Sequence, residues 1–177
     1  MKRVERDDRR IWKRALITVP AIVVAGSLIG YASNSGFGNA WFDSLTKPSF
    51  MPAGWVFGAV WTTLYTMLGI AVATVLNEPP SKQRSVALTL FAAQLALNFA
   101  WSPIFFGGAM IDAALVTIIA MLAVAGATAF AFGKLRPLAG ALMLPYLAWL
   151  CLATALNFEI GRLNPGADRV PLGITGA

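Results

Sequence analysis

The sequence predicts an all-α integral membrane protein in which five transmembrane helices form a single bundle. Of the 177 residues, 58% are hydrophobic and 12% are charged, whereas about 25% of the residues in an average soluble domain are charged. A helix needs roughly 20 mostly apolar residues to cross a bilayer core of about 30 Å. Five windows without a charge are long enough: 15–42, 48–77, 85–111, 113–133 and 137–158.

The membrane domain is expected over residues 15–160, and short breaks divide it into helices. Proline pairs, glycine pairs and charged turns mark these breaks, because such residues interrupt a helical pattern. The five predicted helices cover about 15–33, 53–77, 85–106, 111–132 and 138–160.

Both ends of the chain are predicted to lie outside the bundle. Residues 1–14 carry seven of the 14 Lys and Arg residues, and we interpret them as a basic cytoplasmic tail. A cleavable leader ending near Gly30-Tyr31-Ala32 is the alternative, but the apolar stretch is long for a leader and is needed to complete five helices. Residues 161–177 are polar, contain proline and glycine, and predict a flexible tail.

Small residues in the first two helices predict close helix contacts. Gly26 and Gly30 are four residues apart, a spacing that lets another backbone approach closely in a membrane. We assign them to packing within the bundle, with dimerisation as the weaker alternative. Gly54 and Gly58 permit a similar approach at the start of the second helix.

The third and fifth helices each carry a face of aromatic and amide side chains. The spacings of three and four residues place the members of each set on one side of a helix. The fourth helix, by contrast, is almost wholly aliphatic and is predicted to be scaffold. The third helix also carries alanines four residues apart on its opposite side, which allow close contact in a membrane. The three sets are Gln94, Asn98, Trp101 and Phe105; Tyr146, Trp149, Ala153 and Asn157; and Ala92, Ala96 and Ala100.

The loop over residues 34–52 and the helix after it carry the most specific pattern. From Trp41 to Tyr65 the chain reads WFDSLTKPSFMPAGWVFGAVWTTLY. This stretch resembles the signature of the TspO/MBR family of tryptophan-rich sensory and translocator proteins. The segments AQLALNFAWSPIFFG (93–107) and PYLAWLCLATALNFEIGRLN (145–164) are similar to the family's third-helix and fifth-helix signatures. The loop is therefore expected to act as a lid.

The resemblance implies a membrane receptor, sensor or carrier that binds porphyrin-type tetrapyrroles and other hydrophobic molecules in an aromatic cavity under the loop. No cofactor is required, since the porphyrin is the ligand. Trp61, Asn98, Trp149 and Ala153 occupy matching positions in the family's ligand site. The complete predicted site is Phe42, Pro52, Phe57, Trp61, Tyr65, Gln94, Asn98, Trp101, Tyr146, Trp149, Ala153 and Asn157.

The resemblance also implies a homodimer, and the stripe Ala92, Ala96 and Ala100 is its predicted contact because it points away from the amide face. Two departures from the family pattern concern the ligand. Phe42 and Phe50 stand where the family often has Tyr and Trp, which reduces the number of hydrogen-bonding groups. The segment from Leu156 to Arg162 lacks the central tyrosine of a cholesterol-recognition pattern, so no sterol binding is predicted.

Two other functions remain open. One is an enzyme that degrades bound porphyrin with light and oxygen, using Trp61 and Trp149 beside the ligand. The other is a membrane scaffold or small transporter in which the aromatic rings only pack, as rings at helical spacing usually do. The sequence has no histidine, no paired carboxylates and no charge within a spanning window. These absences count against a metal site, a hydrolase and proton-coupled transport.

The distribution of basic residues predicts the orientation. The first tail and the two turns at 78–84 and 134–136 hold eleven of the 14 basic residues, and the other side holds Lys47, Arg162 and Arg169. The positive-inside rule then places the N-terminus in the cytoplasm, and the loop and the C-terminus on the opposite side. We expect a cell membrane of the bacterial type. The basic excess is explained by this topology, so no nucleic acid is predicted as a partner. The single cysteine, Cys151, excludes an intrachain disulfide and is predicted to be a buried apolar residue.

Overall fold

The structure, a computed structural model, describes the backbone of residues 2–175 and the side chains of residues 9–175. Over this part of the chain it is helical without strands, and five helical stretches are long and apolar enough to cross a membrane. The predicted fold class is therefore confirmed. The elements are α1 (Lys2–Ala32), α2 (Ala40–Ser44), α3 (Gly54–Leu76), α4 (Lys82–Ser102), a π-helical turn (Pro103–Gly107), α5 (Ile111–Leu135), α6 (Pro137–Ala141) and α7 (Leu144–Leu163).

The first and last predicted helices differ most from the structure, and local sequence explains both differences. The first helix was expected to begin at residue 15, but α1 continues through the basic segment from Lys2, since arginine and lysine are good helix formers and no breaker intervenes. The last predicted helix is broken at residues 142–143. Pro145 lacks a backbone N–H, so it is placed in the first turn of α7, where that donor is not needed.

Helix α1 packs on α3 at glycine positions. Gly26 lies in this contact, as predicted, but Gly30 does not. A Cβ atom at Gly26 would lie 2.2 Å from the Tyr65 ring, whereas one at Gly30 would meet nothing within 4 Å. The backbones of these two helices also approach closely at Gly69, where a Cβ would lie 2.7 Å from the Cα of Val19. The Thr18 hydroxyl donates to the Gly69 carbonyl at 2.7 Å.

Helix α5 packs against α4, α6 and α7. Its buried side chains include Leu115, Ile118, Met121 and Phe132, and the Phe132 ring stacks on Phe91 of α4 at 5.6 Å between centroids. On the outer side of α4, Ala92 and Ala96 are exposed and Ala100 is half-buried. The face that carries the predicted dimer contact is thus uncovered in the single chain.

The basic turns lie at one end of the bundle and the 34–52 loop lies at the other, as the charge distribution predicts. Glu78, after α3, forms an ion pair with Arg136, between α5 and α6. At the other end, Thr46 of the loop and Asn164, after α7, exchange two hydrogen bonds of 2.7 and 2.9 Å. The loop and the C-terminal segment therefore share one end of the molecule, opposite the basic turns.

Two sequence expectations about the last part of the chain need correction. Residues 161–177 were expected to form a flexible tail; α7 instead continues to Leu163, and residues 164–175 fold back onto the bundle through hydrogen bonds to α5 and the loop. Residues 176–177 lie outside the described part. Cys151 was expected to be buried, but it is exposed on α7.

Candidate functional site

A chain of hydrogen bonds inside the bundle connects α3, α4, α5 and α7. The Tyr65 hydroxyl donates to Asn98 Oδ1 at 2.8 Å, and Asn98 Nδ2 donates to the Tyr146 oxygen at 3.2 Å. The Tyr146 hydroxyl then donates to the Met121 sulfur at 3.2 Å. Asn98 and Tyr146 are buried, so these contacts satisfy polar atoms that neither water nor lipid could satisfy. We call this group the inner cluster.

Aromatic rings surround the inner cluster. The Trp61 ring lies 5.2 Å from Tyr65 and 6.5 Å from Tyr146 between centroids. Close by, Phe57 and Trp149 form an edge-to-face pair at 5.6 Å that joins α3 to α7. Such geometries are the favourable ones for aromatic pairs. Six of the predicted site residues are thereby brought together: Phe57, Trp61, Tyr65, Asn98, Tyr146 and Trp149.

A second polar group, the outer cluster, lies nearer the loop. Trp101 Nε1 donates to Asn157 Oδ1 at 3.2 Å, and Asn157 Nδ2 donates to the Ile111 carbonyl at 3.0 Å. The Trp101 ring stacks on Phe105 with 4.9 Å between centroids. The two asparagines of the predicted site, Asn98 and Asn157, therefore belong to different clusters, because each pairs with a different tyrosine or tryptophan.

The 34–52 loop covers the outer cluster with its own aromatic residues. Phe42 is buried and lies 6.2 Å from Phe105 and 5.2 Å from Phe106 between ring centroids. The Lys47 ammonium group lies 4.6 Å from the centre of the Phe42 ring and donates to the Leu45 carbonyl at 2.8 Å. Through these contacts the Lys47 side chain holds the turn after α2 together. The loop therefore forms a folded cover over the outer cluster.

Three side chains have buried polar atoms without a hydrogen-bonding partner among the described residues: Gln94, Trp149 and, at its Nε, Arg84. Both amide atoms of Gln94 are unpaired, although this side chain is fully buried. The Trp149 indole nitrogen is likewise buried and unpaired. Unpaired buried donors and acceptors are unfavourable, and they are the groups that gain most from a polar atom of a ligand.

An open groove of about 510 Å³ lies on the side of the bundle between α3 and α7. This volume falls within the range of about 300–1,000 Å³ typical of small-molecule sites. The expected cavity under the loop is instead divided: the clusters fill the interior with paired side chains, and the open space lies beside them. The groove is lined by Ala59, Val60, Thr63, Leu64, Met67, Pro145, Ala148 and Trp149.

The remaining predicted residues take peripheral positions. Ala153 is half-buried and packs against the central apolar core, one turn from Trp149 on α7. Pro52 is half-buried just before α3, at the edge of the loop. Phe50 is exposed, so its ring contributes less to the cover than that of Phe42.

Sequence reasoning missed Met121 and Phe99. The fourth predicted helix was assigned to scaffold, yet Met121 accepts hydrogen bonds from both Asn98 and Tyr146. Phe99, outside the amide face of α4, lies 6.2 Å from the Tyr65 ring. A single methionine in an aliphatic helix gives no signal by itself, because its contact depends on how α4 and α5 are rotated against each other.

The chain can be compared with known proteins on this basis. The model of a family described as TspO/MBR matches residues 17–163. The human translocator protein is 41% identical over 126 residues, which cover 70% of this chain and 75% of that protein. A tryptophan-rich sensory protein of Cereibacter sphaeroides is 44% identical over 109 residues, or 62% of this chain and 67% of that protein. A protein of Archaeoglobus fulgidus named tryptophan-rich protein TspO is 38% identical over 136 residues, covering 76% and 84% of the two chains.

Proposed function

The chain belongs to the TspO/MBR family, and from this premise we propose that it is a membrane receptor, sensor or carrier for porphyrin-type tetrapyrroles and similar hydrophobic molecules. The observation that supports the proposal most is the convergence of Phe57, Trp61 and Trp149 around the inner cluster, beside an open apolar groove. A planar, largely apolar ring gains from stacking on such faces and from leaving water.

The unpaired groups suit the polar edge of such a ligand. Trp149 lines the groove, and its indole N–H is a buried donor without a partner. A carbonyl or carboxyl oxygen of the bound molecule would accept from it once a rotation of the ring uncovers the nitrogen. Few other polar groups line the groove, since the Thr63 hydroxyl already donates to the Ala59 carbonyl at 2.9 Å. Binding would therefore depend mainly on shape and aromatic stacking.

The test is a titration of the purified protein with protoporphyrin IX in lipid nanodiscs, kept in the dark. Tryptophan fluorescence should be quenched saturably. Replacing Trp61 or Trp149 by Ala should weaken binding by about 1–3 kcal/mol, the range for the loss of one aromatic stacking partner. Ala153→Thr should also weaken binding in a folded protein, because small-to-large changes in packed sites typically cost about 1–3 kcal/mol.

Trp55→Ala is the matched control, because this residue is 77% exposed and also lies on α3. It removes one tryptophan signal without touching the proposed site, and its affinity should equal that of the parent. The porphyrin absorption band provides a second readout that does not depend on tryptophan. If the variants at Trp61, Trp149 and Ala153 all keep the parental affinity, the proposed site is wrong.

The same protein under light tests the enzymatic alternative. Trp61 lies in ring contact with Tyr65 and close to Tyr146, an arrangement through which an oxidised tryptophan could be reduced. Loss of porphyrin with a new product, dependent on light, oxygen and Trp61, would identify an enzyme. A dark-stable complex without product supports the receptor, and no binding at all supports a scaffold.

A further inference from the structure

Residues 164–175 connect the end of α7 to the loop and to the start of α5. The Asn164 side-chain amide accepts the Thr46 N–H at 2.7 Å and donates to the Thr46 carbonyl at 2.9 Å. It therefore satisfies both backbone groups of this loop residue. Three residues further on, the Ala167 carbonyl accepts the Trp41 indole N–H at 3.3 Å. The loop is thus bound at two points by one short segment.

The segment is itself held at the N-terminus of α5. Asp168 Oδ2 accepts the Asp112 N–H at 2.7 Å, and the Arg169 N–H donates to the Ala109 carbonyl at 3.0 Å. The Asp112 carboxylate in turn accepts the N–H groups of Leu172 at 2.9 Å and Ile174 at 3.2 Å. The two aspartates therefore bind each other's backbone segments reciprocally.

Asp112 is suited to this role although it is fully buried. Its second oxygen accepts the Thr175 hydroxyl at 2.8 Å, so both oxygens of the carboxylate are satisfied. It also lies in the first turn of α5, where the helix dipole favours a negative charge. Release of the segment would remove three of the donors to this carboxylate, so the hydrogen bonds favour the closed state.

We infer that residues 164–175 form a strap that holds the 34–52 loop closed over the outer cluster, with Asp112 as its anchor. The loop rests on Phe105 through Phe42, and Phe105 stacks on Trp101 of that cluster. Release of the strap removes the pairing at Thr46 and Trp41 and lets the loop open without unfolding the helices. This inference rests on the proposed function only in adding that the loop end of the bundle is a route for the ligand, and its main test requires no ligand.

Hydrogen exchange of the ligand-free protein in nanodiscs provides that test. In each of the variants Asn164→Ala and Asp112→Asn, the amide hydrogens of the loop should exchange about tenfold faster than in the parent. A tenfold change corresponds to about 1.4 kcal/mol, the size expected when one or two net hydrogen bonds are lost. The amides in the middle of α3 and α5 should exchange at the parental rate, because local opening leaves the bundle intact.

Glu159→Gln is the matched control. Its carboxylate lies at the same end of the molecule and pairs with Arg162 on α7, outside the strap. It should leave the exchange of the loop unchanged. If Asp112→Asn does not fold, two other variants decide the question: Asn164→Ala and a chain that ends after Leu163. Parental loop exchange in these two variants would overturn the strap, as would uniform acceleration across all helices.

A second arm measures how fast protoporphyrin IX dissociates. Strap variants should release it about tenfold faster, as for the exchange rates. If the parent binds no porphyrin, the proposed function fails, whereas the exchange result still decides whether the strap controls the loop. If porphyrin binds and the loop opens faster, but dissociation is unchanged, the ligand does not leave through the loop and the regulatory part of the inference is wrong.

Discussion

Asn98 is the residue through which three helices satisfy their buried polar atoms. Its amide accepts from Tyr65 of α3 and donates to Tyr146 of α7, while its own helix is α4. An amide does both at one position, since it carries a separate donor and acceptor on a short side chain. The position therefore specifies a residue type more strictly than its apolar surroundings do.

Replacement of Asn98 by Leu should destabilise the protein by about 1–3 kcal/mol, because both tyrosine hydroxyls lose a partner in the buried interior. Thermal unfolding in detergent measures this change. Thr62→Val is the control: the Thr62 hydroxyl is exposed and donates only to the Gly58 carbonyl within its own helix. In the background of Tyr65→Phe, the loss caused by Asn98→Leu should be smaller. Equal losses in both backgrounds would contradict the coupling.

At the scale of elements, the backbones of α1 and α3 approach each other closely at Gly69. Ala in place of Gly69 should destabilise the protein by about 1–3 kcal/mol, as overpacking commonly does. The added Cβ would meet the Val19 backbone, which cannot move without displacing α1. The measurement is again the unfolding midpoint in detergent.

Gly58→Ala is the matched control for this change. Gly58 lies on the same helix, and an added Cβ there would meet nothing within 4 Å. It should be neutral or stabilise by up to about 1 kcal/mol, the difference in helix propensity between glycine and alanine. If both variants shift the midpoint equally, the contact at Gly69 does not hold α1 in place.

The uncovered alanine stripe on α4 leads to a prediction about assembly. If Ala92, Ala96 and Ala100 form the homodimer contact, a bulky Phe at Ala96 should separate the two copies. Light scattering and crosslinking in detergent measure the mass. Ala123→Phe places the same ring on an exposed position of α5 and should leave the dimer intact. A dimer that persists in Ala96→Phe would place the interface elsewhere.

For the whole molecule, the prediction concerns orientation in the membrane. The basic turns at Arg84 and Arg136 lie at one end of the bundle, and the loop with the C-terminal segment lies at the other. Reporter fusions after Arg84 and Arg136 should report the cytoplasm, and fusions after Lys47 and Arg162 the opposite side. A reversed pattern of activities would contradict the assignment from basic residues.

Hydropathy and charge were enough to specify the number of helices, their order and which turns share an end. These properties are local: a run of apolar residues must lie in the membrane, and a cluster of charges must lie outside it, whatever the neighbouring helices do. The helical spacing also predicted that Asn98, Trp101 and Asn157 face the interior, where each of them forms a hydrogen bond. The family resemblance is confirmed by the match over residues 17–163, and the ligand positions that it implies stay a prediction.

Pairing between distant segments could not be predicted in the same way. Whether Asn98 meets Asn157 or a tyrosine depends on the rotation and tilt of α4 against α7, and no spacing along one helix contains that information. The same reason explains why Met121 was overlooked. The polar, glycine-containing residues 164–175 have a composition typical of a flexible tail. They are ordered here because the N–H groups at the start of α5 and the buried carboxylate of Asp112 require partners, and only the folded chain brings Asp168, Leu172 and Ile174 within reach.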